Sequence, residues 1–431
     1  MTRSSRDRLE QALARIADPK GEGARACLTV YAEAARAAAD AADGRAKAEV
    51  TLGPLDGAIV SIKDLFDVAG EPTRAGSKLL AEEAKPAAAD APVVRRLRQA
   101  GAVIAAKTNM TEYAFSGVGM NPHYGTPGNP ADRSRIPGGS TCGGAVAAAD
   151  GMCEISIGTD TGGSTRIPAA MCGIVGFKPS AQRIPTDGAF PLSFSLDSIG
   201  PMAHTVADCA LADAVMAGEE PAPLEPAPLA GLRLGALQGL VLTSMDETVG
   251  RRFPAGLDGL GRAGARLSDE KLALIDEMVK INSLGGLAPP EAFMIHRDRL
   301  ARRGNDVDPN VSVRIARGAD ISAAHYVEMV RRRAELVRAM DTALTDFDAF
   351  VWPTTPIVAP TIAEMGDPKT FAINNGLLLR NTAIVNFFDL CAISLPLPRD
   401  GLNCGLMLVG RNGADRRLFR IAVAVERLFA G

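Results

Sequence analysis

Two glycine-lined turns in this chain each present a serine. PGGSTCGG holds Ser140, and DTGGSTR holds Ser164, 24 residues further along. A serine between glycines can sit on a tight turn with its hydroxyl exposed, leaving neighbouring backbone N–H groups free to face a developing oxyanion. That arrangement suits acyl transfer. Neither turn is the G-x-S-x-G elbow, because Cys142 and Arg166 stand where its last glycine belongs. No G-x-x-x-x-G-K-[ST] phosphate loop occurs in the chain either.

A serine is a weak nucleophile and needs a base. His123, His204, His296 and His325 all lack a recognisable triad context. The other option is a lysine made neutral by burial, which disfavours its charged form. Lys63 directly follows the apolar run Ala58–Ile62, so it is placed at the end of a buried strand. Two readings of it are open: a buried base, or a snorkelling lysine paired with Asp64 or Asp67. Cys142 with His123 is a further nucleophile–base pair, but both lie on an irregular stretch with no third group to orient them.

These residues must be positioned by regular elements. Leu9, Leu13 and Ile16 recur at helical spacing, and Tyr31–Ala42 is alanine-rich, so residues 1–50 read as two helices. Ala58–Ile62 and Ala102–Ala106 read as strands with a helix over Val93–Gln99 between them, an α/β alternation. Residues 116–144 are dense in Gly, Pro, Asn and Ser, and a long loop of that kind inside a compact domain is usually functional or disordered. A helix (Ala145–Ala149) and a strand (Cys153–Gly158) then lead into the second glycine turn. Residues 218–230 form a Pro/Ala-rich connector. Beyond it, GLRLGAL, VWPTTP, CAISLPLP and NCGLMLVG read as strands, and residues 321–346 as a long charged helix. Strands on both sides of the connector can enter one sheet, so a single domain over 1–431 is expected: N-terminal helices to 50, a core over 51–215, and a C-terminal lobe over 231–431 that completes the sheet and the pocket.

Composition narrows the function. Forty-seven basic against fifty acidic residues give a net charge of −3, which argues against a surface built for polyanions. Nineteen aromatics leave little for base stacking. Neither nucleic acid nor membrane is therefore an expected partner, since no apolar run approaches the ~20 residues of a spanning helix. The N-terminus has no apolar segment with a cleavage site. Seven scattered cysteines fit reduced thiols in the cytoplasm better than a disulfide framework. Four histidines without ligand spacing make a metal unexpected.

The stretches GPLDGAIVSIKDLFDV, PGGST.GG and GTDTGGSTRIPAAMCGIVGFKPS resemble the amidase signature family. The resemblance runs from about residue 50 to 210, weakens through VWPTTP and GLMLVG, and includes the spacing of the two serines. It implies an α/β fold with a central mixed β-sheet flanked by helices on both faces, and no cofactor. By position it makes Ser164 the nucleophile, Ser140 a bridging serine after a cis peptide bond, and Lys63 the buried base. The backbone N–H groups of Thr161, Gly162 and Gly163, with that of Ser164, become the oxyanion hole. Thr141 and Cys142 depart from the family's usual residues, although Thr141 keeps a hydroxyl. Asp160 and Arg166 are read as braces of the glycine turn, and Lys107 and Lys178 as structural. Gly117, Met120 and Tyr124, with Phe190 and Phe194, are candidates for the wall of an acyl pocket, ordinary core being the other reading. The implied activity is hydrolysis of an amide or related small acyl compound, including anilides, carbamates (urethanes), ureas and esters, by a monomer or homodimer. The alternatives are the A-type chain of a glutamyl-tRNA amidotransferase and a catalytically inactive binding module. The first normally carries a Tyr-Gly-x-Glu-type element absent here, and the second is disfavoured by three intact triad positions.

Overall fold

The computed structural model describes residues 3–430; Met1, Thr2 and Gly431 lie outside the described residues. In chain order its strands are β1 (Cys27–Val30), β2 (Ile59–Lys63), β3 (Val103–Thr108), β4 (Ile155–Thr159), β5 (Val175–Lys178), β6 (Ile199–Ala203), β7 (Arg233–Leu237), β8 (Arg266–Glu270), β9 (Ala349–Pro353), β10 (Cys391–Pro396) and β11 (Gly405–Gly410). All eleven join one mixed sheet, ordered β1-β3-β2-β4-β6-β5-β10-β11-β9-β7-β8. β2 runs parallel to β3 and β4, and β7 parallel to β8 and β9, while the central strands pair antiparallel.

The period-2 alternation of strand side chains explains why helices cover both faces. In β3, Ile104 belongs to the core cluster that includes Val93, Val94 and Leu97 of helix Pro92–Gln99, whereas Val103 and Ala105 belong to the one on the other face that includes Leu9 and Leu13 of helix Ser5–Ala17. In β11, Leu406 and Leu408 meet Leu418 and Phe419 of helix Asp415–Phe429. Met407 and Val409 turn to Ile384 and Val385 of helix Pro368–Phe387. The central strands β2, β3, β4, β6, β9 and β11 are buried along their whole length because both faces are covered.

The chain of residues 218–230 crosses the surface between strands of this same sheet, so it does not divide two domains. Residues 1–50 hold the two expected helices, Ser5–Ala17 and Ala32–Lys47, but also β1, which pairs with β3 (Thr29↔Lys107). The strand expected at Cys153–Gly158 runs instead over Ile155–Thr159, one residue closer to the glycine turn. β8, of sequence RLSDE, carries no apolar alternation because it is the sheet's edge, where charge discourages further pairing.

β2 and β4 lie side by side and parallel, in the register Ile62↔Ile157. Their C-terminal ends therefore emerge together, Lys63 closing one and Thr159 the other. That end of neighbouring parallel strands is where open α/β sheets place their ligands.

Candidate active site

Lys63 is fully buried. Its Nζ donates to Ser140 Oγ (2.7 Å) and Thr159 Oγ1 (2.9 Å). Among the described residues no carboxylate pairs with it. Asp64 turns away from it toward the Gly76 N–H (3.3 Å) and the Arg74 guanidinium (3.7 Å), while Asp67 accepts from the Thr73 hydroxyl. The snorkelling pair with Asp64 or Asp67 is thus not formed. Burial brings Lys63 down to about 7, against the opposing fields of Asp197 and Asp160.

Ser140 sits on the first glycine turn, after a cis Gly139–Ser140 peptide bond. The two turns touch through their backbones: the Thr141 N–H donates to the Ser164 carbonyl (3.4 Å). Helix Cys142–Ala149, almost wholly buried, begins directly behind Ser140 and anchors this turn against the sheet. Its first residue, Cys142, is fully buried. Burial pushes its thiol up to about 12, and His123 lies elsewhere, bonded to Glu112 (3.1 Å).

The second turn is held by Asp160. Its carboxylate accepts from the Gly163 N–H (2.9 Å), the Thr165 N–H (3.1 Å) and hydroxyl (2.9 Å), and Asn386 Nδ2 (2.9 Å). Arg166, equally buried, forms a two-point ion pair with it (2.8 and 3.1 Å), and these partners hold the carboxyl well below its usual range despite burial. The braces expected at Asp160 and Arg166 have this geometry. The Gly163 N–H, expected among the oxyanion donors, donates to Asp160, whereas those of Thr161, Gly162 and Ser164 meet no acceptor among the described residues. Gly163 is needed for another reason: its φ is +136°, and a Cβ there would lie 2.2 Å from Thr382 Oγ1.

Ser164, Thr161 and Gly162 line a cleft of about 470 Å³. Its apolar wall comes from Phe115, Leu192, Leu196, Leu287, Leu379 and Phe387. The wall expected from the sequence is elsewhere. Gly117 is held beside the cleft, its N–H donating to Asn375 Oδ1 (2.8 Å) and its carbonyl accepting from the Gly139 N–H (2.8 Å). Met120 packs into the cluster of Val118, Ile136, Ile167 and Met171. Tyr124 is half-buried, its N–H on Asn121. Phe190 stacks on Tyr113 and His296, and Phe194, 62% exposed, points to solvent. Asn375 and Gly139 tie the loop at Gly117, so that Ala114, Phe115 and Ser116 line the cleft while Gly117, Met120 and Tyr124 do not. A larger cavity, about 570 Å³, beside helix Ser5–Ala17 holds neither serine nor Lys63.

Other contributors gave no local signal. Thr159 supports Lys63. Asp197, raised to about 6 by burial, holds the Thr161 hydroxyl (2.5 Å) and the Leu192 and Ser193 N–H groups. Thr382 donates to the Gly162 carbonyl (2.6 Å). Only the placement of Thr159 and Asp160 at the end of an apolar run hinted at a role. Among the described residues no cluster of three or more His, Cys, Asp or Glu could hold a metal, and no helix is long and apolar enough to cross a membrane.

The amidase family profile matches residues 7–419. The chain belongs to the amidase signature family. It is 37% identical over 403 residues to the 2-amino-5-chloromuconic acid deaminase of Comamonas testosteroni, covering 91% of this chain and 86% of that one. It is 36% identical over 469 residues to the A-type chain of the glutamyl-tRNA(Gln) amidotransferase of Anaeromyxobacter dehalogenans, covering 98% and 93%. A crystal structure of an amidase superposes with a TM-score of 0.88 at 32% identity, over 99% of this chain and 96% of the other. As a member of this family the protein is an enzyme, a hydrolase of carbon–nitrogen bonds.

Proposed function

We propose that this amidase cleaves linear, non-peptide amides or related acyl compounds through an acyl-enzyme on Ser164, with Lys63 and Ser140 relaying the proton. The observation that carries this reading is the partner set of Lys63: a fully buried amine whose contacts are hydroxyls and not carboxylates. As a neutral amine it accepts the Ser140 proton while Ser140 takes that of Ser164. The free N–H groups of Thr161, Gly162 and Ser164 stabilise the oxyanion of the tetrahedral intermediate. Reversal of the relay protonates the departing nitrogen, the hard step for a poor leaving group, and water then releases the acyl group. Anilides, carbamates, ureas and esters offer the same carbonyl to this site. Seven unpaired, buried cysteines support a reducing, cytoplasmic setting.

Peptide mapping after reaction with phenylmethylsulfonyl fluoride tests the assignment. A sulfonyl adduct is expected on Ser164, and an adduct on Ser140 or Cys142 instead would overturn it. The likeness to the amidotransferase chain supports a second reading, in which the same chemistry releases ammonia from glutamine for a partner chain. Glutamine hydrolysed well above every simple amide in a substrate panel would favour that reading.

A further inference from the structure

Glu291 is a buried carboxylate that the relay leaves unused. It stands in the first turn of helix Ala288–Arg303 and is 2% exposed. Among the described residues its partners are neutral donors. Oε2 accepts from the Ser193 hydroxyl (2.5 Å) and the Ser195 N–H (3.2 Å), and Oε1 accepts from the Tyr326 hydroxyl of helix Ala323–Ala343 (2.9 Å). Ser193 and Ser195 belong to a loop that Asp197 closes on itself, through the N–H groups of Leu192 (3.0 Å) and Ser193 (3.1 Å). Ser193 therefore bridges two carboxylates, its N–H on Asp197 and its hydroxyl on Glu291.

A buried carboxylate without a counter-charge is costly, and apolar packing would join two elements at less cost. What the hydrogen bonds add is direction, because a fully satisfied polar network admits one arrangement of the groups it joins. The elements joined here carry two walls of the cleft. Leu287 and Ala288 line it at the start of the helix that bears Glu291, and Leu192 and Leu196 line it from the loop. Glu291 itself does not line it. The helix has a separate seat, where His296 packs on Tyr113 with ring centroids 4.0 Å apart. The loop has a separate tie to the second glycine turn, where Asp197 accepts from the Thr161 hydroxyl. Loss of Glu291 thus frees the two walls from each other and leaves each on its own anchor.

We propose that Glu291 is a positioning residue that sets the width of the cleft: it clasps the loop of residues 192–197 to the start of helix Ala288–Arg303, so that an apolar acyl chain is gripped while its carbonyl lies at Ser164. The proposal rests on the reading of Ser164 as the acyl-accepting serine. Thr161 keeps its bond to Asp197 when the clasp is lost. The loss therefore falls on KM for substrates long enough to touch the leucines, and it leaves kcat and the shortest amides almost unchanged.

The test uses full-length enzyme and ammonia release from acetamide, butanamide and hexanamide. Wild-type kcat/KM is expected to rise about fourfold per methylene along that series as the chain enters the apolar cleft. Glu291→Ala should raise KM for hexanamide ~10-fold or more, while kcat/KM for acetamide stays within about twofold. Ser193→Ala and Tyr326→Phe each delete one hydroxyl of the clasp and should raise the same KM ~3- to 10-fold. Glu291→Gln keeps an acceptor for Ser193 and Ser195 and offers Tyr326 a donor, so its KM should lie within about threefold of wild type. The proposal is overturned by wild type blind to chain length, by length dependence that survives Glu291→Ala or Ser193→Ala, or by equal losses on acetamide and hexanamide, which mark a merely structural residue. Ser193→Ala decides by the same criteria should Glu291→Ala fail to fold. Binding of hexanamide to Ser164→Ala, followed by ligand-observed NMR, reads the walls without turnover. Glu291→Ala added to that protein should weaken binding ~10-fold or more, and unchanged affinity counts against the clasp. A Ser164→Ala enzyme that still turns over amides instead refutes the acyl-enzyme reading.

Discussion

Replacing Lys63 with methionine removes the amine while keeping a side chain of similar length, and two independent measurements then report its charge. With its pKa near 7, about half of the enzyme holds Lys63 neutral at pH 7, against about one molecule in 3,000 for a lysine at its ordinary 10.5. Wild-type kcat/KM for an amide should therefore rise with pH through one ionisation near 7 and level off above pH 8. Lys63→Met should lose that limb together with most of the amide activity. Asp197, raised to about 6 and holding Thr161, is a competing titrating group, so Asp197→Asn must keep a single limb, displaced downward because the field of Asp197 opposes the lowering of Lys63. The same ionisation appears in stability. Between pH 7 and 10.5 the unfolded chain binds a proton at Lys63 that the folded chain does not. Wild-type stability thus rises by about 1.4 kcal/mol per pH unit relative to Lys63→Met across that window, and the difference is flat below pH 7. Urea unfolding of both proteins at several pH values measures this slope. A flat difference from pH 7 to 10, or a limb that persists in Lys63→Met and vanishes in His123→Ala, refutes the neutral lysine.

Ser164→Ala deletes one small hydroxyl at the cleft and should fold normally while losing about 10,000-fold or more in kcat; residual activity near wild type would remove it from the mechanism. Ser140→Ala should damage amide cleavage more than cleavage of a matched ester, because esters need less protonation of the leaving group. Equal losses would confine the relay to activating the nucleophile. Gly163→Ala should lose activity against every substrate, as its Cβ would meet Thr382 Oγ1 at 2.2 Å in a left-handed backbone; an active, stable variant would show that the turn tolerates displacement. Dialysis against a chelator should leave kcat unchanged, and activity restored only by a divalent ion would refute the serine–lysine scheme.

What could be read in the sequence was local. Glycines around Ser140 and Ser164 announce turns, and the apolar run before Lys63 announces a buried strand, because each signal lies within a few residues of the group it positions. The cleft wall was not legible for the opposite reason: residues 282–288 and helix Pro368–Phe387 reach Ser164 only through the folded sheet. That helix is disguised by its own buried polar groups. Asn375, Thr382 and Asn386 look like a solvent face, yet they hold Gly117, Gly162 and Asp160 respectively. Phe190 and Phe194 mislead in the same way, since an aromatic near a glycine turn says nothing about which side of the backbone it takes. β1 escaped notice because four residues of modest apolarity become a strand only once β3 offers an edge.

Three buried lysines border this sheet, and burial lowers all of them, so a depressed pKa does not by itself identify the base. Their partners do. Lys178, brought to about 8, donates to the carbonyls of Pro179 (2.6 Å) and Leu390 (2.9 Å). Carbonyls only accept, so neither partner can return a proton to its nitrogen. Lys107 lies 3.7 Å from Glu71, whose charge favours the ammonium. Lys63 alone of the three faces hydroxyls, which donate as readily as they accept, and one of them belongs to the turn that touches Ser164 through its backbone. The proposed role of Lys63 therefore rests on what each amine meets at the end of its strand. In that proposal, a hydroxyl that can reverse its hydrogen bond lets a buried lysine act as a proton acceptor where the other two are structural clamps.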